Sequence, residues 1–293
     1  PITWDRSKGD GMRGGSQRAW WMAAILLLPS ALPALAENTD PANDDSQWAW
    51  SENAGWVNAE PSGNGGPGLQ VGDTALTGFL WSENAGWISL SCQNTGSCVS
   101  QSFGVMNNGC GQLAGYAWAE NAGWISFSCS NTGTCGTASY GVTIDPLTGD
   151  FSGKAWSENL GWISFASTGA NPHKVKTSWM AQAPAETPMN LTVTKSSGNA
   201  LLQWNSIPGA TTYQVVRGSL SNLRASGGDF STAVTVCEPG LTTQSTSYPL
   251  GPLAEFYLVR GASCGGKGTM NESGGNQIGS RDAEIAASGQ DCP

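Results

Sequence analysis

The residues best equipped for chemistry here are eight cysteines, four recurring Glu-Asn pairs and one histidine, His173. Cys92/Cys98 and Cys129/Cys135 flank equivalent stretches, Gln-Asn-Thr-Gly-Ser and Ser-Asn-Thr-Gly-Thr. Asn-Thr-Gly is turn chemistry, and two cysteines flanking a turn can meet across it. Each such bond contributes roughly 2 kcal/mol in the chain-entropy account. A Cys237–Cys264 bond is expected near the last strands, while the pairing of Cys110 and Cys292 stays open. Zinc needs closer thiolate spacing and more imidazoles than one histidine supplies. The pairs beginning at Glu52, Glu83, Glu120 and Glu158 sit in one repeated context. Catalytic carboxylates are needed once or twice, so equivalent copies point to a structural turn. No Asp-x-Asp-x-Asp-Gly calcium loop, nucleophile motif or phosphate-binding glycine loop leading into a helix is present. The chain therefore reads as non-enzymatic, with no catalytic, cofactor-binding or metal residue expected.

The elements that carry these pairs repeat almost verbatim. Ala49–Val57, Leu80–Ile88, Ala117–Ile125 and Ala155–Ile163 each read as Trp, Ser or Ala, Glu, Asn, Ala or Leu, Gly and Trp between apolar ends. The first Trp recurs at steps of 31, 37 and 38 residues, a period that signals a repeat architecture. Gly115–Trp118 and Trp124–Ser128 alternate at period 2, with an Asn-Ala-Gly loop between them, so each motif is a β-hairpin. Tyr140–Ile144 adds a strand before the last copy, giving about three strands per repeat.

Register decides the role of the tryptophans. A four-residue loop turns Trp50, Trp81, Trp118 and Trp156 inward. Trp56, Trp87, Trp124 and Trp162 then form an opposite row, the candidate binding row if water reaches it. A five-residue loop places both rings of a pair on one face. The four-residue loop is favoured because it groups large apolar residues, and burial of the rings as repeat core is the expected outcome.

Met12–Ala36 has the form of an export signal: Arg13 and Arg18, an apolar run Ala19–Leu28, and Ala34-Leu35-Ala36 before the expected cut. Residues 1–11 read as translation upstream of the start. The apolar run is too short to span a bilayer. No lipobox cysteine follows it and no apolar tail ends the chain, so no membrane insertion is expected after cleavage. From Glu37 onward 9 basic residues face 20 acidic ones, and Lys154 is the only basic residue between 45 and 170. Nucleic acid is a poor partner for such a surface. The expected product is secreted or on the cell surface, where disulfides persist.

The unit Gly-x-Ala-Trp-Ser-Glu-Asn-x-Gly-Trp-Ile-x-Phe, often after a Tyr-Gly-Val strand, resembles a repeat of secreted and surface proteins of bacteria. That likeness covers roughly Gln47 to Ser167. Beyond an Ala- and Pro-rich linker, strands are expected over Asn190–Thr194, Ala200–Trp204, Thr212–Arg217, Thr246–Tyr248 and Phe256–Arg260. Trp204, Tyr213 and Tyr257 make this stretch similar to a fibronectin type III domain, in a subtype found at the C-terminus of bacterial secreted proteins. The fold class is therefore all-β: four repeats of antiparallel hairpins, then a fibronectin type III-like sandwich. The expected division is leader 12–36, N-terminal segment 37–46, repeat module 47–170, linker 171–188 and sandwich 189–293. The expected function is structural or adhesive, through a protein partner, a glycan partner or self-association. The alternative is a carbohydrate-binding protein using an exposed Trp row.

Overall fold

The computed structural model describes residues 38–61, 68–169, 171–186, 189–271 and 277–293. The expected leader and its cleavage point lie outside these residues. Glu37–Pro293 forms one compact unit.

Each repeated motif is an antiparallel hairpin. In the third, Ala119 pairs with Gly123 and closes a loop of Glu120, Asn121 and Ala122. Gly123 has φ +78°, and the equivalent Gly55, Gly86 and Gly161 are also left-handed, so the glycine is the paired residue that ends the loop. Trp118 consequently lies directly opposite Trp124. The same pairing joins Trp50 to Trp56, Trp81 to Trp87 and Trp156 to Trp162. The rings of each pair are therefore cross-strand partners on one face, as the five-residue alternative requires, and the favoured four-residue register is wrong.

The four hairpins close into an eight-stranded barrel. The seams share one register: Trp81 pairs with Asn58, Trp118 with Ser89, Trp156 with Ser126 and Trp50 with Ser164. The last of these seams joins the fourth hairpin back to the first. Inward positions alternate small and branched residues: Ala49 and Val57, Ala117 and Ile125, Ala155 and Ile163, with Leu80 and Ile88 in the second hairpin. A barrel of this strand number has room inside for side chains of that size. Its narrowness is the physical reason that the indoles, unlike the expected Trp core, are outside.

The long strands Leu113–Ala119 and Phe151–Ser157 run beyond the barrel into a second tier. There their first halves pair with Val105–Asn107 and Val142–Ile144. At the junction, Gly115 and Gly153 have φ +91° and +83°. A Cβ on Gly115 would lie 2.1 Å from the Gly104 carbonyl oxygen, so only glycine fits this crossing. Phe127, Phe151, Phe165, Leu76 and Ile144 fill the second tier.

The expected linker begins too early. Val175 and Thr177 are fully buried, Val175 bridges to Gln47, and Thr177 bridges to Thr39. Trp179 donates Nε1–H to Asp73 at 2.8 Å. Residues 171–181 thus belong to the barrel unit. Val175 occupies, for the first hairpin, the place that Val105 and Val142 hold before the third and fourth.

The C-terminal part is a sandwich of three- and four-stranded sheets. Thr192–Ser196, Asn199–Gln203 and Ser245–Pro249 form one. Val234–Leu241, Thr212–Ser219, Glu255–Ser263 and Gly266–Lys267 form the other, in that spatial order. Leu202, Trp204, Tyr213, Val215 and Val259 lie between the sheets.

Cys92–Cys98 and Cys129–Cys135 are bonded, each around a short 3-10 turn. The Cys237–Cys264 expectation fails. Thr212–Ser219 lies between the strand of Cys237 and Glu255–Ser263, at whose end Cys264 stands. Cys237 instead meets Cys292 of the C-terminal tail, and Cys264 meets Cys110 of the barrel unit. The latter bond spans 154 residues and ties the sandwich to the barrel covalently.

Candidate functional site: the outer tryptophan wall

Both tryptophans of every hairpin project from the barrel's outer surface, so the strands carry an aromatic wall rather than an aromatic core. The paired rings meet at 4.9, 4.9, 4.8 and 4.6 Å between centroids, from the first hairpin to the fourth. Most of these contacts are edge-to-face, the arrangement that the ring quadrupoles favour. Of the predicted row, Trp56 and Trp124 are exposed at 44% and 39%, and Trp87 and Trp162 are half-buried. Trp118, expected inside, is 38% exposed.

Further rings join the wall. Trp48, Phe79 and Tyr116 stand two residues before the first Trp of their hairpins and pack on Trp56, Trp87 and Trp124. Their period-2 spacing was a readable signal, and the fourth hairpin carries Lys154 at that position. Phe103, Tyr140 and His173 arrive from the connecting segments and pack on Trp124, Trp162 and Trp56. Their positions depend on tertiary pairing, which local patterning does not reveal.

The Glu-Asn loops line one end of the barrel and bind each other. Asn84 donates to the Ala54 carbonyl at 3.1 Å, Asn159 to that of Ala122 at 3.0 Å and Asn53 to that of Asn159 at 3.2 Å. Glu52 Oε2 accepts the Trp162 N–H at 3.2 Å. These contacts join neighbouring hairpins, as a structural role for the repeated pairs requires. Among the described residues no group of three or more His, Cys, Asp or Glu side chains could hold a metal ion.

No family model matches this chain, and no curated protein does.

One part of the wall is concave. A groove of about 650 Å³ lies between the first and second hairpins, walled by Trp48, Trp50, Trp56 and Trp81, with Asn58, Glu83 and Asn84 among its polar lining. Its volume falls within the range of small-molecule sites, about 300–1,000 Å³. Among the described residues, the first connection differs from the next two. After the second and third hairpins, the disulfide turns bring Asn94 and Asn131 down onto Ser89 and Ser126, leaving each serine 4% exposed. The connection after the first hairpin contains no cysteine, and Asn58, the counterpart of those serines, remains half-exposed.

Proposed function

We propose that the chain is an exported, non-enzymatic recognition or adhesive protein. The barrel is its binding platform, and a fibronectin type III-like sandwich is its spacer. The observation that carries this reading is the outward projection of the paired tryptophans on all four hairpins. Large rings in series are unusual on a surface that meets only water, and they suit contact with a partner. Four disulfides fit an oxidising compartment outside the cytoplasm. The barrel strands are four to seven residues long, shorter than the roughly 9–11 of a membrane-spanning strand.

The test is retention of the purified 37–293 chain on the surface of the cells that produce it. The Trp56→Ala/Trp124→Ala variant should keep its far-ultraviolet circular dichroism and lose retention at least tenfold, about 1.4 kcal/mol. Retention equal to that of the unsubstituted chain would overturn the reading.

A further inference from the structure

We infer that the groove between the first two hairpins is a binding site for a neutral, β-linked glucose-type oligosaccharide. This rests on the recognition reading above and assigns it a place and a ligand class. Three features of the groove argue for it.

The first is the pairing of apolar platforms with polar groups of opposite kinds. Asn58 Oδ1 accepts the Glu60 N–H at 2.8 Å, which fixes the side chain, and among the described residues Nδ2 has no acceptor. Asn84 is fixed the other way round: Nδ2 donates to Ala54 O at 3.1 Å, and Oδ1 remains to accept. Among the described residues the Glu83 carboxylate makes no hydrogen bond or ion pair, unlike Glu52, whose Oε2 is taken by a backbone N–H. The groove therefore offers one pre-oriented donor and two acceptors beside indole faces. A sugar hydroxyl both donates and accepts, so it matches such a set.

The second feature is ring area. Trp56 is 44% exposed and Trp48, Trp50 and Trp81 are partly open, so flat surface is available for stacking. A pyranose with all substituents equatorial shows only C–H groups on both faces, and these lie well against an aromatic ring. An axial hydroxyl interrupts one of the two faces, so only the all-equatorial ring can be stacked on either side.

Charge is the third. The mature chain carries 9 basic against 20 acidic residues, and Glu83 stands in the groove itself. A uronic acid or sulfated chain would be repelled. The ligand is therefore neutral.

The experiment is calorimetric titration of the full 37–293 chain with cellohexaose, with polygalacturonate as the anionic comparison. Binding of cellohexaose and none of polygalacturonate is expected. Trp81→Ala should weaken binding at least tenfold, and Glu83→Gln about fivefold. Glu83 is exposed, so its substitution tests the site without threatening the fold. Leu147→Ala, exposed and outside the groove, should change binding less than twofold. Failure of the unsubstituted chain to bind cellohexaose would overturn the assignment, as would a loss from Trp124→Ala as large as that from Trp81→Ala. If cellohexaose fails while cell-surface retention still depends on Trp56 and Trp124, the glycan site is wrong and the recognition reading stands. If both fail, both are wrong.

Discussion

Phe127→Ala is expected to destabilise the protein by about 3–5 kcal/mol, whereas Trp124→Ala, three residues earlier, is expected to cost about 1–2 kcal/mol. The larger ring is the cheaper one to lose. Phe127 is 1% exposed, and its ring lies 5.6 Å from that of Phe165 in the second tier. Removing it leaves a cavity that the closed sheet cannot collapse to fill. Trp124 is already 39% exposed and touches Phe103, Tyr116 and Trp118 at their edges. Its loss removes those contacts without opening a void. Urea unfolding of both variants with disulfides intact measures the difference. Equal costs, or a costlier Trp124→Ala, would mean that the indole is core and the register is the other one.

Arg260→Ala is the second large effect, expected to cost about 2–4 kcal/mol because it removes a buried guanidinium that holds Gln214 and two partly buried carboxylates together. The Arg260 side chain is 4% exposed. Its Nη2 lies 2.5 Å from Asp291, Nη1 lies 3.6 Å from Asp282, and Nε donates to Gln214 at 2.8 Å. Burial pushes the Asp291 carboxyl up, but the hydrogen bond from Lys267 and the Arg260 charge together outweigh it and hold it below its ordinary value. A carboxyl lowered in the native state stabilises above its unfolded pKa of about 4, and the gain is lost as pH falls through the native value. The melting temperature should therefore fall on acidification below pH 4, and Arg260→Ala should flatten that part of the profile. A parallel profile for the variant would show that the pair does not couple Asp291 to folding.

The hairpins were legible in the sequence because their signals are local. An Asn-x-Gly loop between two period-2 runs specifies a turn, and Cys92–Cys98 and Cys129–Cys135 close over turns of their own. The all-β class followed from the same features. The side chosen by Trp118 was not legible, because it depends on whether Gly123 belongs to the loop or to the strand. One residue of register exchanges the faces. Barrel closure supplies the missing information, since the seams set the interior width and admit Ala117 and Ile125 but not the indoles. Cys110–Cys264 and the circular role of Val175 join residues far apart in sequence, where periodicity carries no signal. The groove accompanies a contrast between connections: two are sealed by disulfide turns, and the first contains no cysteine.

Oxidative footprinting of the folded chain tests the outward wall most directly. Hydroxyl-radical pulses under native conditions should oxidise Trp56, Trp118 and Trp124 well before Phe127 and Phe151, which are 1% and 2% exposed. Modification of the three tryptophans should follow their exposure and precede any loss of structure. Protection of all three until the barrel unfolds would place the rings in the interior and contradict the account.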